Sequence, residues 1–165
     1  MEPIIEFKKL PENRRIVVIH GYEQPVQTLW DAFTKSDILE QWWAPKPYKT
    51  VVLSNDFEEG KSLHYYMLSP EGEKHYCLAE YFGIEPLQSY KVMDAFCNEA
   101  GEINEDFPRM TWHNTFTNDG KLTTVTNTIA FEREEDMLQI LKMGFEEGYT
   151  AALHQLYTLL QKGSL

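Results

Sequence analysis

From residue 134 to residue 161 apolar side chains return in steps of three and four, at Leu138, Leu141, Phe145, Tyr149, Ala152, Leu156 and Leu159. That spacing makes one stripe along a 3.6-residue helix. At about 1.5 Å per residue such a helix is about 42 Å long, so it must cross the whole body of a domain this size. Upstream the period changes. The stretches 49–55, 62–68, 75–84, 90–97, 110–117 and 122–131 are short β-rich runs separated by turn residues such as Ser69-Pro70-Glu71-Gly72 and Asn118-Asp119-Gly120. The β-branched run 15–20 brings the expected count to seven strands. Short connections favour an antiparallel sheet, and a lone long helix after it belongs on one sheet face, an α+β layout. Two short helices fill the gap after the first strand. Pro25 suits a first helical turn ahead of Val26, Leu29, Trp30 and Phe33, and Asp37 with Glu40 has the spacing of a capping box for a second helix through Leu39 and Trp42. Residues 1–13 are polar and proline-punctuated, which predicts an N-terminal arm ahead of one domain over 14–161.

Alternation within the strands points Leu63, Tyr65 and Met67, then Cys77, Ala79 and Tyr81, then Met110, Trp112 and Asn114, and finally Val125, Asn127 and Ile129 toward the helix. This inner face is apolar and aromatic apart from two amides. A buried Asn needs partners: either Asn114 and Asn127 bond each other across neighbouring strands, or a ligand or trapped water serves them. Trp42 and Trp43 are adjacent, hence about 100° apart on a helix, so one can pack in the core while the other looks into a cavity mouth. Gly144 and Gly148 each cost about 1 kcal/mol of helix propensity against Ala. Either they leave space for a ligand or they allow the helix close to the sheet.

Charge and composition narrow the function classes. The formal net charge of −11, with no block of Lys or Arg, repels nucleic-acid phosphates and anionic lipid heads. No apolar run has the length of a signal peptide or membrane span, so a cytoplasmic protein is expected. In a reducing compartment Cys77 and Cys97 are expected as thiols, although a hairpin through Glu85-Pro86-Leu87-Gln88 would bring them nearly opposite each other. His20, His64, His75, His113 and His154 form neither HxH nor HExxH, and no nucleophile or phosphate-loop motif occurs. No metal and no cofactor are expected.

Several stretches carry a resemblance to a known family: Gln24-Pro25, Trp30-Asp31-Ala32-Phe33-Thr34, Leu39-Glu40-Gln41-Trp42-Trp43-Ala44-Pro45, Ile84-Glu85-Pro86 and Met143-Gly144-Phe145-Glu146-Glu147-Gly148, with the turns at Glu59-Gly60 and Pro70-Glu71-Gly72. In this order they resemble the START-like (SRPBCC) superfamily, and within it the single-domain relatives of the Hsp90 ATPase activator. Lys35-Ser36-Asp37 departs from a usual Asp-Pro-Glu, and Ala79 stands where Gly is common. The resemblance implies a helix-grip fold, a curved seven-stranded antiparallel sheet wrapped on the C-terminal helix with a hydrophobic cavity between them. Its expected lining is Trp42, Trp43, Leu63, Tyr65, Met67, Tyr81, Trp112, Asn114, Asn127, Leu141, Phe145, Gly148, Tyr149 and Ala152. The leading expectation is a carrier or sensor, monomer or homodimer, that holds a small hydrophobic ligand in that cavity. One alternative is a cyclase-like enzyme on aromatic or polyketide-like substrates with Tyr65, Tyr81 or His64 as proton donor. Another is an interaction protein that stimulates an Hsp90-type ATPase.

Overall fold

Among the described residues, 3–163 of the computed structural model, eight strands form one antiparallel sheet. They are β1 Ile4–Leu10, β2 Arg15–Tyr22, β3 Lys49–Asn55, β4 Ser62–Leu68, β5 Lys74–Glu85, β6 Ser89–Phe96, β7 Met110–Asn118 and β8 Thr123–Ala130, in the spatial order β1-β2-β8-β7-β6-β5-β4-β3. Period-two burial along β7 and β8 puts Met110, Trp112, Asn114 and Phe116 beside Thr123, Val125, Asn127 and Ile129 on one face. Bulges bend the sheet, one between Val52 and Ser54 in β3 and one between Phe82 and Glu85 in β5 at Gly83, whose φ is 60°. The concave face closes over helices, so the architecture is the α+β helix-grip arrangement.

The eighth strand is a correction to the expected seven. Residues 4–10 of the expected arm are that strand: β1 pairs with β2 from Ile4 opposite Gly21 to Leu10 opposite Arg15. Met1 and Glu2 of that arm lie outside the described residues. Only Ile5 and Phe7 of β1 pack on the core, while Glu6, Lys8 and Lys9 face solvent. A charged outer face is what keeps an edge strand from pairing further, and it is also why the segment reads as polar. A 3₁₀ turn at Pro11–Asn13, closed by Arg14 at φ 53°, reverses the chain into β2.

Helices α1 Val26–Thr34 and α2 Ser36–Trp42 follow β2 as expected. The capping box is a second correction, since α2 starts at Ser36 without a side-chain cap. Glu40 instead accepts a hydrogen bond from the Val52 backbone N–H at 2.9 Å, tying α2 to β3.

The C-terminal helix is a third correction. It is two helices, α3 Glu134–Lys142 and α4 Phe145–Gln161, parted by Gly144 at φ 95°. Glycine tolerates this left-handed geometry without steric cost and so ends one helix and opens the next. The break resets the phase of the stripe. Met137 and Ile140 are buried in α3 where Leu138 and Leu141 were expected, and Leu138 is 49% exposed. After the break Tyr149, Ala152, Leu153, Leu156 and Leu160 face the sheet.

Candidate functional site

Where α3 and α4 diverge, a cavity of about 250 Å³ opens against the middle of the sheet. Strand alternation builds its floor: Tyr65 and Met67 on β4, Cys77 on β5, Asp94 and Phe96 on β6, Met110 and Trp112 on β7. The helices supply the opposite wall with Ile140, Met143, Gly144, Phe145, Gly148 and Tyr149. Trp43 and Pro45 close the side, held by Gln155 of α4. Its Nε2 donates to the carbonyls of Trp42 and Ala44 at 3.0 and 2.8 Å, and its Oε1 accepts from the Lys46 N–H at 2.7 Å. A narrow inner chamber of about 40 Å³ adds Leu63, Tyr81 and Asn114 and shares Trp43, Tyr65, Asp94 and Trp112 with the outer one.

Rings dominate the walls. Trp43 lies 5.8 Å from Trp112 and 5.9 Å from Tyr149 between centroids, and Phe145 stacks on Tyr149 at 5.6 Å. Phe7 of β1 backs Phe145 from outside at 6.1 Å.

Two residues of this lining carry a buried polar atom without a partner. Asp94 retains some exposure as a residue, but its Oδ1 is shut off from solvent and has no hydrogen-bond partner among the described residues. Burial pushes its carboxyl up to about 7, partly opposed by the Ala95 backbone N–H. Trp112 Nε1 is likewise buried and unpartnered. By contrast, the polar cluster beneath is satisfied. Asn127 Nδ2 donates to Asn114 Oδ1 at 2.7 Å, and Asn127 Oδ1 receives Tyr149 OH at 2.6 Å and His20 Nε2 at 2.8 Å. The two amides therefore bond each other, the first of the alternatives read from the strands.

A larger groove of about 640 Å³ runs past 105–109 and Arg133, but its lining is mainly polar and includes the ion pairs Arg109–Glu105 and Arg133–Asp136. Among the described residues no group of His, Cys, Asp or Glu is placed to hold a metal ion. None of their helices is long and apolar enough to cross a membrane. Cys77 and Cys97 are free thiols.

Residues 23–161 match the family described as Activator of Hsp90 ATPase homolog 1-like protein. The chain belongs to this family. Solved structures similar to it include protein Ms6760 from Mycobacterium smegmatis, 26% identical over 95% of this chain and 97% of that one, with a TM-score of 0.87. A Staphylococcus epidermidis protein is 28% identical over 95% and 94% of the two chains, TM-score 0.83. An Arthrobacter aurescens protein, 24% identical over 95% and 91%, shares the fold with a TM-score of 0.89. No curated protein matches the chain.

In this activator-like chain the expected lining divides three ways. Trp43, Tyr65, Met67, Trp112, Phe145, Gly148 and Tyr149 meet at the outer cavity, and Leu63, Tyr81 and Asn114 reach the inner chamber. Trp42, Asn127, Leu141 and Ala152 line neither. Trp42 is fully buried and donates from Nε1 to the Ala32 carbonyl at 2.9 Å. Asn127 lies beneath the site in the polar cluster, and Ala152 is buried farther along α4. Leu141 was displaced by the helix break, and Ile140 took its place.

His64 is on the opposite sheet face, within 3.2 Å of the Asn98 carbonyl, so it has no access to the cavity. Tyr65 and Tyr81 do reach the chambers, but burial raises both hydroxyls far above neutrality, which makes them poor proton donors. Asp94 was missed by the sequence reading. Its signal is the alternation Tyr90, Val92, Asp94, Phe96, a carboxylate on the apolar face of a strand.

Proposed function

We propose that the protein binds a small, mainly apolar aromatic molecule between the sheet and α4 and acts as its carrier or sensor. The observation that carries this reading is the ring-walled cavity of about 250 Å³, slightly below the roughly 300 to 1,000 Å³ usual for ligand pockets. Its mouth opens at the helix break beside Met143, half of whose surface is exposed. We place the protein in the cytoplasm as a monomer or homodimer, binding neither nucleic acid nor membranes.

A second reading, a cyclase-like enzyme, draws on one feature, a carboxyl near neutrality within reach of a bound compound. Native mass spectrometry of freshly purified protein, joined to a thermal-shift screen of aromatic compounds, tests both. A retained small molecule recovered unchanged supports the carrier, and its conversion on incubation supports the enzyme. A ligand at a hundredfold excess over its Kd adds about 2.7 kcal/mol to stability. If nothing is retained and a broad aromatic library leaves the melting temperature unchanged, the cavity reading is wrong.

A further inference from the structure

Asp94 is an acid without a base. It lines both chambers, and its Oδ1 has no protein partner among the described residues. The titratable groups facing the same space are Tyr65 from β4, Cys77 and Tyr81 from β5, Tyr90 from β6 itself and Tyr149 from α4, with Cys97 just beyond β6. Each of these is an acid that burial keeps neutral at pH 7. Among the described residues no Lys, Arg or His lines either chamber. The protein itself therefore offers this carboxylate no countercharge, although a buried charge is ordinarily paired.

The walls are suited to a cation. The faces of Trp and Tyr rings attract ammonium groups, most strongly where water is excluded, and Trp43, Trp112 and Tyr149 lie within 6 Å of one another between centroids. A chain of net charge −11 also draws cations toward itself from solution. At about 30 Å³ for each water-sized group, the outer chamber holds about eight such groups, the scale of one ring with a short side chain.

Building on the cavity reading above, we propose that the ligand is a small aromatic amine, its ammonium group paired with the Asp94 carboxylate and its ring among Trp43, Trp112 and Tyr149. Pairing would hold Asp94 ionised in the complex, whereas in the empty protein it takes up a proton near pH 7.

The test is calorimetric titration of 2-phenylethylamine and of its neutral isostere 2-phenylethanol into the wild-type protein and Asp94→Asn. At pH 8 the amine is expected to bind at least about tenfold more tightly than the alcohol, and the preference disappears in Asp94→Asn. In the wild type alone, amine affinity weakens about tenfold from pH 8 to pH 6 while alcohol affinity holds. Asp94 gains its proton over that range, reducing the binding-competent fraction, whereas an aliphatic ammonium, titrating near 10, does not change. This second arm needs no variant. If the alcohol binds as tightly as the amine at pH 8, the charge assignment is overturned and the cavity reading stands. If neither binds, the assignment falls, and the aromatic library then decides the cavity reading by itself.

Discussion

His20 has a single consistent hydrogen-bond pattern. Asn127 uses its Nδ2 on Asn114, so its Oδ1 is an acceptor, and His20 must donate to it from Nε2. His20 Nδ1 then accepts from Tyr22 OH at 2.7 Å. The ring is neutral in this tautomer, and burial lowers its pKa from 6.5 to about 4 against the opposing bond to Asn127. Because the folded value is the lower one, the unfolded chain takes up the proton first. The stabilisation is complete above pH 6.5 and is lost as pH falls toward 4, on the order of 3 kcal/mol over that window. Nitrogen-15 NMR of the imidazole should show an Nε2–H tautomer with no protonation down to pH 5. A ring that titrates near 6.5 would mean that the cluster is open to water.

At the scale of elements, the break at Gly144 decides the shape of the site, and the two glycines of the late Gly-x-x-x-Gly do different work. Gly144 has φ 95°, where any L side chain is strained. Gly144→Ala should lower stability by about 1 to 2 kcal/mol. Gly148 lies within α4, and a methyl added there meets only Pro45 Cγ at 3.8 Å, an ordinary contact. Gly148→Ala should therefore raise stability by about 1 kcal/mol through helix propensity while narrowing the cavity mouth it lines. Urea midpoints of the two variants check the pair. A loss at Gly148 would mean that the helix packs closer to its neighbours than 3.8 Å, and no loss at Gly144 would mean that α3 runs on into α4. Spacing alone could not separate these roles, because backbone dihedrals, not sequence distance, distinguish a helix-breaking glycine from a helical one.

For the whole molecule, the strand at the N-terminus turns the sheet into a wall behind the site. Ile5 and Phe7 pack on the core, and Phe7 meets Phe145 across the cavity's outer wall. Deleting residues 1–10 should expose β2 as an edge and cost about 2 to 4 kcal/mol, since each of the two side chains is worth about 1.5 to 3 kcal/mol when fully buried and both are here only partly so. The truncated protein should also lose affinity for cavity ligands as Phe145 loses its backing. Urea unfolding with an unchanged midpoint would show that this strand contributes nothing to the fold.

Local pattern determined most of the architecture: β7, β8, α1 and the inward residues of β4, β5, β7 and β8 all follow from two-residue and 3.6-residue periods, which are properties of the backbone. It also placed Trp43, Tyr65, Trp112 and Tyr149 near one another, since inward strand positions and a packed helix stripe must meet. Three things were decided only in three dimensions. β1 forms because β2 offers it a partner, a pairing that its own sparse apolar residues do not announce. The helix breaks because Gly144 adopts a left-handed dihedral, which exchanges Leu141 for Ile140 at the cavity. Asp94 stands out because the surrounding strands and rings bury its Oδ1 without giving that atom a partner, and a carboxylate's environment is a property of the neighbours that tertiary packing assembles.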